Sequence, residues 1–130
     1  MLKLIDAGAR SSLPFSPGII AGDFMYVSGQ ASVDAGTGAI VPDSFAGEMR
    51  RAIGNLKAIL GAGGASLDHV VNVRAYVADE ADLTEFNRVY PEYFRAPMPT
   101  RSTIVGVLGT RLKFELDCVA YLPATRQQAS

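Results

Sequence analysis

From Leu112 to Leu122 the chain alternates. Leu112, Phe114, Leu116, Cys118, Ala120 and Leu122 fall on one side, and Lys113, Glu115, Asp117, Val119 and Tyr121 on the other. Side chains on a strand point to opposite faces with a period of two, so the stretch predicts a β-strand with one face in a core and two carboxylates on the other. The core face needs elements to pack against it, and the acidic face needs water or a partner.

The rest of the chain supplies candidates for both. Phe45, Met49, Ile53, Leu56, Ile59 and Leu60 recur at spacings of three and four between Ser44 and Ala62. This predicts a helix with Asp43 or Ser44 as N-cap and Gly63-Gly64 as terminator. A second helix opens at Asp79, with Asp82 placed to return a capping bond, and carries Leu83, Phe86, Tyr90 and Phe94. Pro91 lacks a donor and its ring crowds the carbonyl of Asn87, so the helix should kink or stop near Tyr90. Asn87 then either sits in a plain helix end or presents its amide to a ligand.

Strands are predicted at Phe24–Ser28, followed by a turn at Asp34–Gly38 and a short strand at Ala39–Val41, as a hairpin. Another runs from Asp68 to Ala78, with Val71, Val73, Ala75 and Val77 on one face and Val70, Asn72, Arg74 and Tyr76 on the other. Pro99-Thr100-Arg101-Ser102-Thr103-Ile104-Val105 sets an arginine at the mouth of an apolar β run. If that run pairs with the last strand as a hairpin around Gly109-Thr110-Arg111, Thr103 lies opposite Asp117 and Val105 opposite Glu115. The element order predicts an α+β layer, a sheet with both helices on one face. Glu115 and Asp117 then share the other face with β-branched and aromatic residues, a mixed apolar patch of the kind that marks an oligomer interface.

Composition narrows the chemistry. At 130 residues the chain is expected to be one domain, residues 1–130. Twelve basic against 13 acidic residues give a formal charge of −1, and Arg50-Arg51 is the one adjacent basic pair. No electrostatic footprint for nucleic acid is visible in that balance. One cysteine and one histidine give neither a disulfide framework nor metal-ligand spacing, and no stretch reads as a signal or a membrane span. A reduced cytoplasmic protein without metal or cofactor is expected. Arg101 remains the strongest ligand-binding candidate, because its planar fork of donors suits the two oxygens of a small acid.

Five segments carry a resemblance in order and spacing: Leu13-Pro14-Phe15-Ser16-Pro17-Gly18, Tyr26-Val27-Ser28-Gly29-Gln30, Asn87 to Phe94, Pro99-Thr100-Arg101-Ser102 and Phe114-Glu115-Leu116. Together they resemble the YjgF/YER057c/UK114 family, whose best understood branch is the RidA enamine/imine deaminases. The resemblance implies a chorismate-mutase-like fold and a homotrimer with clefts between subunits. It also implies cofactor-free hydrolysis of 2-imino or 2-enamino acids, such as 2-aminoacrylate, to 2-keto acids and ammonia. It assigns the substrate carboxylate to Arg101 and the attacking water to Glu115, with Asp117 a second acid. Gly29, Asn87, Phe15 and Thr103 fall on substrate-facing positions. Phe15 stands where many deaminases carry tyrosine, and Thr103 where several members carry cysteine. A keto-acid-binding regulatory trimer is the alternative reading, and the endoribonuclease or translation-inhibitor activity attributed to some L-PSP relatives is a third. Cys118 reads as a small core residue rather than a nucleophile.

Overall fold

In the computed structural model, which describes residues 2–8 and 11–123, the alternating run becomes strand β6 (Phe114–Tyr121). Phe114, Leu116, Cys118 and Ala120 are buried, while Glu115, Asp117 and Val119 are half-buried on the other face. The strand lies inside a six-stranded sheet of order β1-β2-β3-β6-β4-β5. Its neighbours are β3 (Phe24–Ala31) and β4 (Val70–Val77), both antiparallel to it. At one end β2 (Gly18–Ala21) and β1 (Leu2–Ile5) continue the antiparallel pairing, and at the other β5 (Thr100–Val105) runs parallel to β4.

The last two strands therefore do not form a hairpin. The β4–β5 connection contains helix α2 (Leu83–Val89), and a connection of that length permits a parallel crossover. β5 takes the outer position, and β6 enters beside β4 with both of its edges hydrogen-bonded. Thr103 is in register with Ala75, and Asp117 and Glu115 are in register with Arg74 and Tyr76.

Helix α1 (Phe45–Ala62) is capped by Ser44, whose Oγ accepts from the Gly47 N–H at 3.1 Å. Met49, Ala52, Ile53, Leu56 and Leu60 are fully buried against the sheet. Gly64, at φ +86°, turns the chain out of the helix. Before α2, Asp79 accepts from the Ala81 N–H at 2.9 Å and opens a 3₁₀ turn, whereas Asp82 makes no side-chain capping bond. The helix stops at Val89, and Pro91 falls in a 3₁₀ turn over Tyr90–Glu92, as the proline predicts. Phe86 and Phe45 both pack on Phe114, at centroid distances of 5.8 and 5.9 Å, so the helices meet over one face of the sheet.

Two local expectations are corrected, and two strands went unread. β4 begins at Val70, and a register irregularity between Val70 and Asn72 buries Val70 and leaves Val71 42% exposed, so Val71 does not share the face of Val73, Ala75 and Val77. Such an irregularity shifts the side-chain alternation at the strand's entry. The expected strand at Ala39–Val41 amounts to one bridge, Val33 to Ile40, because Pro42 lacks a donor with which to extend it. Strands β1 and β2 were not legible: Leu2, Lys3 and Leu4 are exposed, so the first shows no burial alternation.

Candidate functional site

The face of the sheet away from the helices holds an open cleft of about 750 Å³ lined by Phe15, Gly29, Arg74, Glu115 and Asp117. A bulge in β3 shapes it. Val27 pairs with Cys118 and Gln30 with Leu116, so Ser28 and Gly29 together face the single residue Asp117. The Ser28 N–H donates to the Pro17 carbonyl at 2.9 Å and its hydroxyl to the Ser16 carbonyl at 2.5 Å, which fastens the loop bearing Phe15 to the bulge.

Gly29 leaves room for its neighbour. A Cβ there would lie 3.1 Å from Glu115 Cδ and 3.2 and 3.3 Å from its two oxygens, so the missing side chain is the space the carboxyl occupies. Burial, and next the charge of Asp117, push the Glu115 carboxyl above its ordinary value. Asp117 has both oxygens engaged. Arg74 Nε donates to Oδ1 at 2.9 Å and the Tyr76 hydroxyl to Oδ2 at 3.0 Å. The Tyr76 phenol is pushed up, by burial first and then by the hydrogen bond to Asp117. Cys118, beneath the cleft in the core, has its thiol pushed up to about 12 by burial, which leaves it no thiolate for nucleophilic attack.

The remaining sequence-derived site residues gather elsewhere. Arg101 is in register with the fully buried Val73, so its side chain turns to the helix face. There its Cζ lies 4.8 Å from the ring centroids of both Phe86 and Tyr90. Those rings hold the guanidinium by cation–π attraction, and no carboxylate among the described residues pairs with it. Thr103, two residues on, shares that face and is half-buried. Asn87 is exposed on α2, and its Nδ2 donates to the Leu83 carbonyl at 3.2 Å. Within one chain, then, Phe15, Gly29 and Glu115 line the cleft, while Asn87, Arg101 and Thr103 stand on the β5–α2 side, across the sheet.

Two features escaped the sequence reading. Arg74 and Tyr76 were placed on a polar strand face, but only the β4–β6 register shows that they grip Asp117. Glu48, 1% exposed, accepts from the backbone N–H groups of Lys113 at 3.0 Å and Asp43 at 3.3 Å and pairs with the Lys113 ammonium. That carboxylate joins the first turn of α1 to the start of β6, and its place in a helical first turn was its one signal. Among the described residues no group of three or more His, Cys, Asp or Glu is placed to hold a metal, and no helix is long and apolar enough to cross a membrane.

Compared with known proteins, residues 7–122 match the family described as Endoribonuclease L-PSP. A RutC family protein of Pyrococcus horikoshii is 38% identical over 109 residues, which is 83% of this chain and 86% of that protein. The 2-iminobutanoate/2-iminopropanoate deaminase of Bos taurus is 32% identical over 108 residues, 82% of this chain and 79% of that one. The crystal structure of the yeast protein YEO7 superposes with a TM-score of 0.86 at 28% identity, covering 94% of this chain and 99% of that one.

Proposed function

Because the chain belongs to the endoribonuclease L-PSP family, the YjgF/RidA family, we propose that it hydrolyses reactive 2-imino and 2-enamino acids, 2-aminoacrylate among them, to 2-keto acids and ammonia. The proposed site is completed between subunits of a homotrimer. The observation that carries this reading is an exposed guanidinium with no carboxylate partner on one side of the sheet and a half-buried carboxyl on the other. In a head-to-tail ring each subunit can offer a different surface to the next, so the Arg101 side of one chain can close over the Glu115 cleft of its neighbour. The exposed Phe24, Tyr26 and Tyr121 on the cleft face, 40%, 49% and 45% accessible, are apolar area that such a contact would cover. The relative named a 2-iminobutanoate/2-iminopropanoate deaminase supports the substrate class.

In the proposed reaction Arg101 grips the substrate carboxylate with two parallel N–H donors. An enamine first takes a proton at C3 and gives one up from nitrogen to become the imine. Water then adds its oxygen to C2 while Glu115 takes one of its protons. The C=N bond becomes a single bond as Glu115 returns that proton to nitrogen, giving a carbinolamine. Glu115 then takes the proton of the new hydroxyl and passes it to the amine, the C–N bond breaks, and ammonia leaves as the oxygen forms the keto C=O. One carboxyl suffices for these transfers, and such help is typically worth on the order of 10²–10⁴-fold. Phe15 walls the cleft without a hydroxyl to offer, and Gly29 leaves room for the carboxyl.

The test uses imines generated in situ from several amino acids, with their loss timed with and without the protein. Arg101→Lys and Glu115→Gln should each lose most of the activity. Mixing the two variants and letting subunits exchange should restore about one quarter of it, since in a heterologous ring one interface in four then has both intact partners. A mixture as inactive as its components overturns the shared site. Tight keto-acid binding with no imine loss in the native protein favours the regulatory trimer instead.

A further inference from the structure

Asp117 lies two residues from Glu115 on the same face of β6, about 6.6 Å along the strand at the usual rise per residue. Arg74 and Tyr76, the register partners of Asp117 and Glu115 on β4, both hydrogen-bond to Asp117. The four side chains form a two-by-two block in which one carboxylate is clamped at both oxygens and the other takes no hydrogen bond from any described residue. The clamped side chain is only 16% exposed, whereas the Arg74 side chain is 59% exposed.

We propose that Asp117 is a positioning residue for Glu115: fixed by Arg74 and Tyr76, it is the negative charge beside which Glu115 takes up and releases its proton. This rests on the reading that Glu115 handles the water. Within one chain the groups facing Glu115 leave Asp117 without a rival, and the Arg101 that the proposed trimer would bring across from a neighbour is the same in every variant compared. Just before β6, Lys113 is the other charged neighbour two residues away, but its ammonium is turned to Glu48 and the Asp43 carbonyl. On β4, Tyr76 is neutral at ordinary pH, its phenol pushed up by burial, and Arg74 directs its Nε to Asp117. On β3, Ser28, Gly29, Gln30 and Ala31 carry no charge, and Tyr26 is the nearest titratable side chain. Burial and Asp117 act in the same direction on Glu115, both favouring the protonated form. A carboxyl that keeps its proton to higher pH is better matched to taking a proton from water and giving it back near neutrality.

The arrangement predicts opposed effects. Asp117→Asn removes the negative charge and leaves Arg74 unbalanced, so Glu115 should release its proton at lower pH. Arg74→Gln leaves the negative charge unbalanced, so Glu115 should hold its proton to higher pH. Each shift should be on the order of one pH unit, the effect of a unit charge at such a distance near a protein surface. Carbon-13 NMR titration of the Glu115 carboxyl in the intact protein reads the shifts without reference to turnover. Arg74→Lys keeps the charge and should return the midpoint to near that of the native protein. Midpoints that stay put in both charge-removing variants, or that move in the same direction, overturn the proposal. The acid limb of the pH profile for imine loss should follow the NMR midpoint in every variant. If the midpoints move as stated while that limb does not, the role of Asp117 stands and the assignment of Glu115 to the water fails.

Discussion

Gly29→Ala separates the geometry of the cleft from the stability of the fold. The added Cβ would meet the Glu115 carboxyl at 3.1 to 3.3 Å, while ordinary carbon contacts lie at about 3.5–4.0 Å. The carboxyl must therefore retreat by roughly half an ångström. The backbone raises no objection, since Gly29 is not among the glycines with positive φ. The glutamate pays by leaving its rotamer, about 0.5–1.5 kcal/mol, against about 0.4–1 kcal/mol gained by restricting the unfolded chain. The two nearly cancel, so the melting temperature should move by only a degree or two. Activity has no such offset. A reacting group misplaced by about 1 Å can lose on the order of 10²-fold, so half that displacement should cost roughly tenfold. Thermal melting and the in situ imine assay, run on one preparation, measure both. Undiminished turnover would show that the position of the Glu115 carboxyl does not matter to the reaction. A loss of several kcal/mol of stability would show that the bulge cannot hold a side chain at all.

Arg101→Lys should leave melting almost unchanged, because an ammonium can still lie over Phe86 and Tyr90. It should cost at least tenfold in imine loss through the lost bidentate grip, and equal turnover would move carboxylate recognition to another residue. Glu115→Gln should raise the melting temperature at pH 8 and not near pH 4. The native carboxyl is pushed up in the fold, so its contribution is favourable below the unfolded value of about 4.3 and is lost as pH rises through the folded one. A melting difference that is the same at both pH values would contradict that sign.

Much of the fold was legible because it is written within single elements. The faces of β6, the apolar stripe of α1 and the stop before Pro91 each follow from one local period or one ring clash. What escaped depends on pairing between distant strands. Whether Arg101 and Glu115 share a face is decided by β5 choosing β4 rather than β6, and no spacing along the chain encodes that choice. The Val70–Asn72 irregularity reversed Val70 and Val71 for the same reason, since it exists only relative to β6. Arg74 and Tyr76 could be assigned to a polar face, yet their grip on Asp117 required knowing which strand lay opposite.

The place of β6 between β3 and β4 bears on how the protein is made. As a ribosome extrudes the chain, β1, β2 and β3 can meet as one ribbon, and β4 with α2 and β5 as another, but the strand that joins the ribbons is residues 114–121. Synthesis proceeds at about 5–20 residues per second, so for several seconds two unpaired edges and the apolar undersides of both ribbons wait for it. The fold is therefore closed by the last of its six strands to emerge, after the other five have been translated. A nascent chain stalled before Phe114 should behave as a client for chaperones rather than as a smaller version of the protein.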